Sequence, residues 1–272
     1  MDYFNILNEK GNTNKMTNKY DSKKNNLVSI IIPMYNAENI IKETLQSVQN
    51  QTYKNWEAII IDDCSIDKSF EYVTNYSKTD PRIKIFKMEK NSGPGAATKF
   101  GFKKSKGELI AFLDSDDLWV ENKLEEQINF MKKNNYAFIC TDYEQINEKS
   151  EPLGRYIRCK KKANYLDVLY TNPIGSSTVM ITRELLNKID IPIIRKDNDY
   201  SLWLKLLKIY PYVYGIRECY MKYRVWKKSI SYNRFGSIKY HWIVYKDYEN
   251  FSSIKAIYLI INWGFIKLLK IK

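Results

Sequence analysis

The sequence predicts an α/β protein built on a doubly wound, mostly parallel sheet. Two observations support this fold class. Apolar runs of strand length, rich in β-branched residues, recur without polar alternation, as expected of strands buried on both faces. Stretches with helical spacing of apolar residues separate these runs, so that strand and helix alternate four times. With 272 residues, 44% of them hydrophobic, the chain has room for one large domain with appendages.

The first strand is predicted in "LVSIIIPMYN", where residues 27–32 form an apolar run, interrupted only by Ser29, that we expect Pro33 to end. A helix follows over residues 39–49, with its apolar side chains on one face. The remaining predicted elements are the strand "WEAIIID", a helix over about 67–76, the strand "RIKIFKM", a helix over about 95–104 and the strand "ELIAFLD".

Charge and cysteine content narrow the functional classes. The net charge is +13, and residues 151–272 carry 23 Lys and Arg against 9 Asp and Glu, so an anionic partner is expected on the second half. The four cysteines, Cys64, Cys140, Cys159 and Cys219, are far apart and form no CxxC pair, which argues against a zinc cluster or a disulfide framework and favours a reducing, cytoplasmic compartment. Residues 1–25 are predicted to be a flexible tail without the apolar stretch of a signal peptide.

Acidic residues collect where the predicted strands end. In doubly wound sheets ligands bind at the carboxyl ends of the strands, and here those ends carry residues 33–36, 62–63, 91–95 and 114–117. The stretch "AFLDSDDLW" places three carboxylates within four residues. A solvated turn that caps the following helix is one interpretation. The other is a site for Mg²⁺ or Mn²⁺, which proteins hold with one or two carboxylates together with substrate phosphates.

The sequence resembles the family 2 glycosyltransferases of the GT-A fold from about residue 28 to about residue 232. Three segments carry the resemblance: "SIIIPMYNAENIIKETLQSVQNQTYKNWEAIIIDDCSID", "NSGPGAATKFGFKKSKGELIAFLDSDDLW" and "NDYSLWLKL". It implies a nucleotide-binding half over 26–117, an acceptor half over 118–232 and a separate C-terminal segment over 233–272.

Site residues follow from the resemblance by position. Tyr35 would stack on the nucleotide base, Asp63 would read the base ring, and Asp116 would ligate Mn²⁺ or Mg²⁺ directly while Asp114 lies near the ribose and the metal. Asp199 matches the catalytic base, and one base implies a single displacement with inversion. The residues assigned to donor binding are Pro33, Tyr35, Asn36, Asp62, Asp63, Gly93, Lys99, Asp114 and Ser115.

The resemblance also suggests partners. The donor would be a nucleotide-diphosphate sugar, and we expect a UDP-sugar. The acceptor would be a hydroxyl of a glycan or lipid-linked glycan in bacterial surface polysaccharide synthesis, such as capsule, O-antigen or lipooligosaccharide. Nucleic acid is not expected as a partner. Two alternatives stay open: a non-catalytic basic module that binds nucleic acid or an acidic polymer, and a sugar nucleotidyltransferase. The strand-end acids disfavour the first, and "PMYNAEN" lacks the glycine-rich, arginine-bearing loop expected of the second.

The sequence departs from the family pattern at three places. Thr98 and Lys99 stand where the family usually has Arg-Asn, so Lys99 or another basic residue would have to contact the diphosphate. Asn198 stands where an acid usually precedes the base, which leaves Asp197 as a second candidate base. Cys64 replaces a usual glycine and is interpreted as a small buried side chain.

The C-terminal segment, residues 233–272, is predicted to be basic, amphipathic and helical. Its longest lysine-free run near the end, residues 256–266, is too short to span a bilayer. We expect a helix that lies in the membrane interface and holds the protein on the inner face of the cytoplasmic membrane; packing on the domain or on a partner subunit is the alternative. His241, in "YHWIVY", is predicted to be a packed aromatic rather than a catalyst.

Overall fold

The computed structural model describes residues 26–226 and 234–268, and within them it contains a ten-stranded sheet. The strands are β1 (Val28–Met34), β2 (Trp56–Asp62), β3 (Ile83–Lys87), β4 (Leu109–Phe112), β5 (Leu118–Trp119), β6 (Phe138–Ile146), β7 (Pro152–Ile157), β8 (Lys162–Ala163), β9 (Met180–Thr182) and β10 (Val213–Arg224). The helices are α1 (Ile41–Gln49), α2 (Ser69–Ser77), α3 (Pro94–Lys104), α4 (Lys123–Asn134), α5 (Tyr165–Thr171), α6 (Arg183–Leu186), α7 (Asn198–Ile209), α8 (Arg234–Ile243) and α9 (Ser253–Leu268). The predicted tail over residues 1–25 lies outside the described residues.

The first half matches the predicted alternation of strand and helix. β3, β2, β1 and β4 lie side by side and run parallel, with α1, α2 and α3 in the connections. Side chains of β1 pack alternately into two core layers: Ile30 and Ile32 lie in one layer and Ile31 in the other. Burial on both faces explains why the strand is apolar on both faces rather than on alternate residues.

Pro33 does not end the first strand, as the sequence analysis expected, but lies inside β1 opposite Ile61. The pairing explains how the sheet tolerates it. In a parallel ladder successive residues bond to opposite neighbours, and the Ile31 carbonyl faces the β4 side, where it accepts the N–H of Leu113. Pro33 faces that same side, two residues beyond the last pair with β4, so its missing N–H breaks no ladder bond.

The second half joins the first through a short antiparallel strand. β9 pairs with β4 on one side and with β6 on the other. β6 then pairs in parallel with β10, and β5 pairs antiparallel with β10 at the far edge. A 3-10 turn, Ser176–Thr178, leads into β9 and lies beside the end of β4. This connection brings residues of the second half to the carboxyl ends of the parallel strands.

The C-terminal segment is helical, as predicted. α8 continues into a π-helical turn, Val244–Tyr248, and α9 follows. α9 packs Ala256 and Leu259 into the core of the domain. His241 is buried against the rings of Tyr200 and Trp263, at centroid distances of 5.5 and 4.5 Å, which confirms its predicted packing role. Within residues 26–226 and 234–268, no helix has both the length and the apolar character needed to cross a bilayer.

Candidate active site

The predicted nucleotide side is a tightly bonded cluster at the carboxyl end of β2. The carboxylate of Asp63 accepts the backbone N–H groups of Ser92 and Gly93, each at 2.7 Å. Asp62 is fully buried and accepts the N–H of Ser65 at 3.2 Å. Asp62 therefore shapes the loop after β2, whereas Asp63 holds the turn that starts α3.

The loop after β1 leaves one aromatic ring open to solvent. Tyr35 is 46% exposed at the strand end. The next residue, Asn36, has a left-handed backbone (φ 50°), and its side-chain oxygen accepts the N–H of Ile66 at 3.0 Å. Asp67 is the last residue of the first segment that carries the family resemblance. Its carboxylate accepts the N–H groups of Glu38 and Ser69 and so fixes the same loop. The loop is rigid while the Tyr35 ring remains available for stacking.

Two cations lie near this edge, and they are engaged differently. Lys99 on α3 forms an ion pair with Asp190 at 2.5 Å. Arg195, in the segment before α7, lies against Gly93 and donates to the backbone and side-chain oxygens of Asn91. Gly93 has φ 88°, and a Cβ built there would lie 2.7 Å from Cγ of Arg195. Arg195 is thus a residue of the predicted nucleotide edge that the sequence analysis did not identify.

The acidic cluster after β4 separates into one structural carboxylate and two that face the site. Asp117 is buried, and its carboxylate accepts the hydroxyl of Ser177 at 2.6 Å and the backbone N–H of Arg224 at 3.0 Å. Ser177 in turn accepts the backbone N–H of Asp114 at 3.0 Å. Asp114 and Asp116 are partly accessible and complete the turn.

The backbone of this turn is held by residues from distant parts of the chain. Arg224 is fully buried and donates from Nε to the carbonyl oxygen of Asp116 at 2.8 Å. The indole N–H of Trp226 donates to Oδ2 of Asp116 at 2.9 Å. The carbonyl of Ser115 accepts the hydroxyl of Thr44 on α1 at 2.9 Å. The two site-facing carboxylates therefore sit on a fixed framework.

Charge repulsion and burial disfavour the ionised forms of Asp114 and Asp116 when no cation is bound. Burial, together with the charges of Asp116 and Asp199, raises the pKa of Asp114 to about 8. Burial also raises the pKa of Asp116, although the Trp226 hydrogen bond opposes the shift. A divalent cation would reverse this effect by stabilising the ionised forms.

Asp114 and Asp116 suit Mg²⁺ or Mn²⁺ by their chemistry, because both metals prefer carboxylate oxygens. The described residues contain no group of three or more His, Cys, Asp or Glu side chains that could hold a metal ion. Mg²⁺ that acts on phosphate substrates is commonly held by two carboxylates, while water and the diphosphate supply the remaining ligands. Asp116, with Asp114, would hold the ion, which when bound would neutralise the charge of a departing diphosphate.

Asp199 lies in the first turn of α7, and Asp197 is the N-cap residue of this helix. Asp197 has a left-handed backbone (φ 59°) and makes no capping hydrogen bond with its side chain. Burial raises the pKa of Asp199, while the N–H groups of Asp199 and Tyr200 at the helix start oppose the shift. The Asp199 charge also raises the pKa of Asp114, so the two carboxylates lie within electrostatic reach of each other.

Tyr143 on β6 lies within electrostatic reach of Asp117 and Asp199. Burial and the charges of Asp117 and Asp199 raise the pKa of its phenol. Its ring lies beside Gly175, just before the 3-10 turn, and packs against Tyr223 at a centroid distance of 5.8 Å. Nothing in the pattern of "FICTDYEQI" distinguishes Tyr143 from an ordinary strand tyrosine, so sequence reasoning missed it.

Comparison with known proteins finds a matching family model and similar relatives. The family model described as glycosyl transferase family 2 matches residues 29–189. TuaG of Bacillus subtilis (strain 168), named as a teichuronic acid biosynthesis glycosyltransferase, is 39% identical over 244 residues, which cover 90% of this chain and 95% of TuaG. WfgD of Escherichia coli, named as a UDP-Glc:alpha-D-GlcNAc-diphosphoundecaprenol beta-1,3-glucosyltransferase, is 40% identical over 239 residues, 87% of this chain and 92% of WfgD.

A solved structure shares the fold. TarS of S. aureus (residues 1–349), crystallised with UDP-GlcNAc, superposes with a TM-score of 0.66 at 20% identity, over 87% of this chain and 71% of that chain. TarS is a GT-A glycosyltransferase, so the predicted GT-A fold is confirmed.

Proposed function

The chain belongs to glycosyl transferase family 2 and is a glycosyltransferase, and from this premise we propose that it transfers a sugar, with inversion, from a UDP-sugar to a hydroxyl of a growing bacterial surface glycan. The observation that carries the proposal is the arrangement of acids around one site. Asp114 and Asp116 follow β4, and Asp199 starts a helix of the other half, yet its charge reaches Asp114.

These two acidic groups suit the two demands of the reaction. Breaking the bond between the anomeric carbon and the diphosphate requires neutralisation of the leaving group, which a cation held by Asp116 and Asp114 would supply. The attacking hydroxyl must lose a proton, which Asp199 would accept as general base. A carboxylate with a raised pKa is a stronger base than an ordinary aspartate, so burial favours this role. A single base beside the acceptor favours one displacement with inversion.

The nucleotide edge suits a uracil base. The exposed ring of Tyr35 offers a stacking surface. Each oxygen of Asp63 accepts one backbone N–H, and a carboxylate oxygen can accept a second bond, so Asp63 retains capacity for the ring N–H of uracil. The name of WfgD, which specifies UDP-Glc, supports this choice of nucleotide.

Arg195 is our candidate for the cation that contacts the donor in place of the usual arginine at position 98. Lys99 would have to leave its ion pair with Asp190 to reach a ligand. Arg195 instead lies on the Asn91–Gly93 turn, which Asp63 holds on its other side. Its planar guanidinium provides the paired donors that suit phosphate or carbonyl oxygens.

For the acceptor, we propose a glycan carried on a lipid diphosphate at the inner face of the cytoplasmic membrane. WfgD acts, by its name, on a sugar linked to diphosphoundecaprenol, and it is similar to this chain along nearly its whole length. Membership of an enzyme family removes the basis for the non-catalytic binding module and the nucleotidyltransferase that the sequence alone left open.

Calorimetric titration of the purified protein with UDP, GDP and ADP in the presence of Mn²⁺ tests the donor proposal. UDP is expected to bind most tightly, and both EDTA and the Asp116→Asn variant should weaken its binding at least about tenfold, because the diphosphate loses its cation. Tighter binding of GDP would overturn the uracil assignment. Unchanged UDP affinity in EDTA would overturn the metal role.

A further inference from the structure

The outer face of α9 carries an exposed apolar surface. Five large apolar side chains on this helix are between 50% and 83% exposed. They recur at intervals of three, one, three and four residues, so they share one face of the helix. We call this surface the α9 stripe: Ile254, Ile257, Tyr258, Ile261 and Phe265.

The stripe is not the face by which α9 holds to the domain. Ala256 and Leu259 are buried in the core, and the ring of Trp263 packs against His241. A helix packed on a domain normally presents polar residues on its other face, which meets water. An exposed apolar surface of this length is instead typical of an interaction site.

The charge around the stripe selects its occupant. Residues 250–272 contain four lysines, at positions 255, 267, 270 and 272, and no acidic residue. Two copies of such a segment would bring like charges together, which disfavours self-association. The headgroups of anionic lipids complement both the lysines and an apolar stripe that enters the interface. Lys255, exposed beside the stripe, is placed to meet them.

The stripe is linked by packed rings to the helix that carries the proposed base. Trp263 of α9 contacts His241, and His241 contacts Tyr200, at centroid distances of 4.5 and 5.5 Å. Tyr200 directly follows Asp199. A surface beneath α9 would therefore lie on the acceptor side of the molecule and not on the nucleotide side.

We propose that the α9 stripe is a docking surface for an anionic lipid bilayer, on which the helix lies parallel to the membrane. The membrane contact itself rests on the stripe and its charge. Its use, which is to present a lipid-linked acceptor to the site, rests on the proposed function.

Co-sedimentation with vesicles tests the docking surface without donor or acceptor. The full chain is mixed with vesicles of phosphatidylcholine, with or without phosphatidylglycerol. Wild-type protein should bind the anionic vesicles, and the double variant Ile257→Glu/Ile261→Glu should bind at least about tenfold more weakly, because two apolar side chains leave the interface. Raising the salt from 0.1 to 0.5 M should weaken wild-type binding severalfold.

The matched control is Ile209→Glu, which changes a similarly exposed isoleucine at the end of α7, outside the stripe. It should bind vesicles as wild type does. Melting temperatures equal to that of the wild type show that both variants fold. If a variant does not fold, the salt and lipid series on the wild-type protein still tests the docking surface.

Equal sedimentation of the double variant and the wild type would overturn the proposal. So would a wild-type dimer in lipid-free buffer that the double variant abolishes while neither binds vesicles, since a second copy would then cover the stripe. UDP binding by the same samples separates the two proposals. A wild-type protein that binds UDP but not anionic vesicles refutes the docking surface alone, and a wild-type protein that binds the vesicles but not UDP refutes the donor assignment alone.

Discussion

The substitution Asp199→Asn separates the proposed catalytic role of this residue from its role at the start of α7. The amide has almost the same volume, and its oxygen can still accept the N–H groups of Asp199 and Tyr200 that face the carboxylate. What it loses is the ability to take a proton. General-base catalysis contributes about 10²- to 10⁴-fold, so the transfer rate should fall by that factor, or by about 3 to 5 kcal/mol in the barrier.

Stability should not fall with activity. Burial raises the pKa of Asp199, so the ionised carboxylate is less favourable in the folded protein than in the unfolded chain at neutral pH. A neutral amide removes that cost, and the melting temperature should stay the same or rise. The proposed metal ligands Asp114 and Asp116 are unchanged, so Mn²⁺-dependent UDP binding should be retained.

Single-turnover transfer from the donor identified by titration, alongside thermal melts and UDP titrations, measures all three quantities. Asp197→Asn is the matched control: it removes an equal charge two residues away, at a left-handed position that asparagine tolerates. It should retain near wild-type transfer. Wild-type rates in Asp199→Asn, or an equal loss in Asp197→Asn, would refute the assignment of Asp199 as the base.

Two further predictions concern the metal site and the nucleotide edge. Because the pKa of Asp114 is raised to about 8 and that of Asp116 is also raised, their contribution to stability is complete below the unfolded pKa of about 4 and is lost as the pH rises towards 8. In EDTA the melting temperature should therefore fall between pH 5.5 and pH 8, and Asp114→Asn should reduce this dependence of the melting temperature on pH. Addition of Mn²⁺ with UDP should restore stability most at pH 8. A melting temperature that is higher at pH 8 than at pH 5.5 in EDTA would contradict this. Gly93→Ala should cost about 1–3 kcal/mol of stability and weaken UDP binding, because φ 88° is costly for alanine and the new Cβ meets Arg195. Denaturant unfolding of Gly93→Ala with and without Arg195→Ala distinguishes the two causes. In the Arg195→Ala background, Gly93→Ala should cost less free energy of unfolding, because the contact with the Arg195 side chain is removed, but the cost of backbone strain should remain. If Gly93→Ala costs nothing in that background, backbone strain is negligible.

The sequence predicted the nucleotide half well because its strands are buried on both faces. Such strands leave continuous apolar runs, and their carboxyl ends meet at one edge, so the location of the acidic cluster followed from the alternation alone. The short strands of the second half leave no comparable pattern. β9 has three residues and β5 has two, and only pairing partners distant in sequence define them.

The hydrogen bonds that fix the acidic turn could not be predicted from the sequence, because they also join residues that are far apart in the chain. Ser177 bonds to Asp117 across 60 residues, and Arg224 reaches Asp116 across 108. The start of a helix near Asp199 was predictable from the spacing of the apolar residues that follow. The identity of its N-cap residue was not predictable, because the side chain of Asp197 makes no capping hydrogen bond. The engagement of Lys99 by Asp190 likewise depends on a tertiary contact.

The bonds that fix the acidic turn bear on attempts to exchange acceptor halves between relatives. A graft made directly after Asp117 would separate this carboxylate from Ser177 and Arg224, which reach it from the transplanted part. Arg224 also donates to Glu43 on α1, so the graft must match a residue far upstream of the junction. A hybrid enzyme with new acceptor specificity should therefore inherit these four residues as one set, whatever else is exchanged.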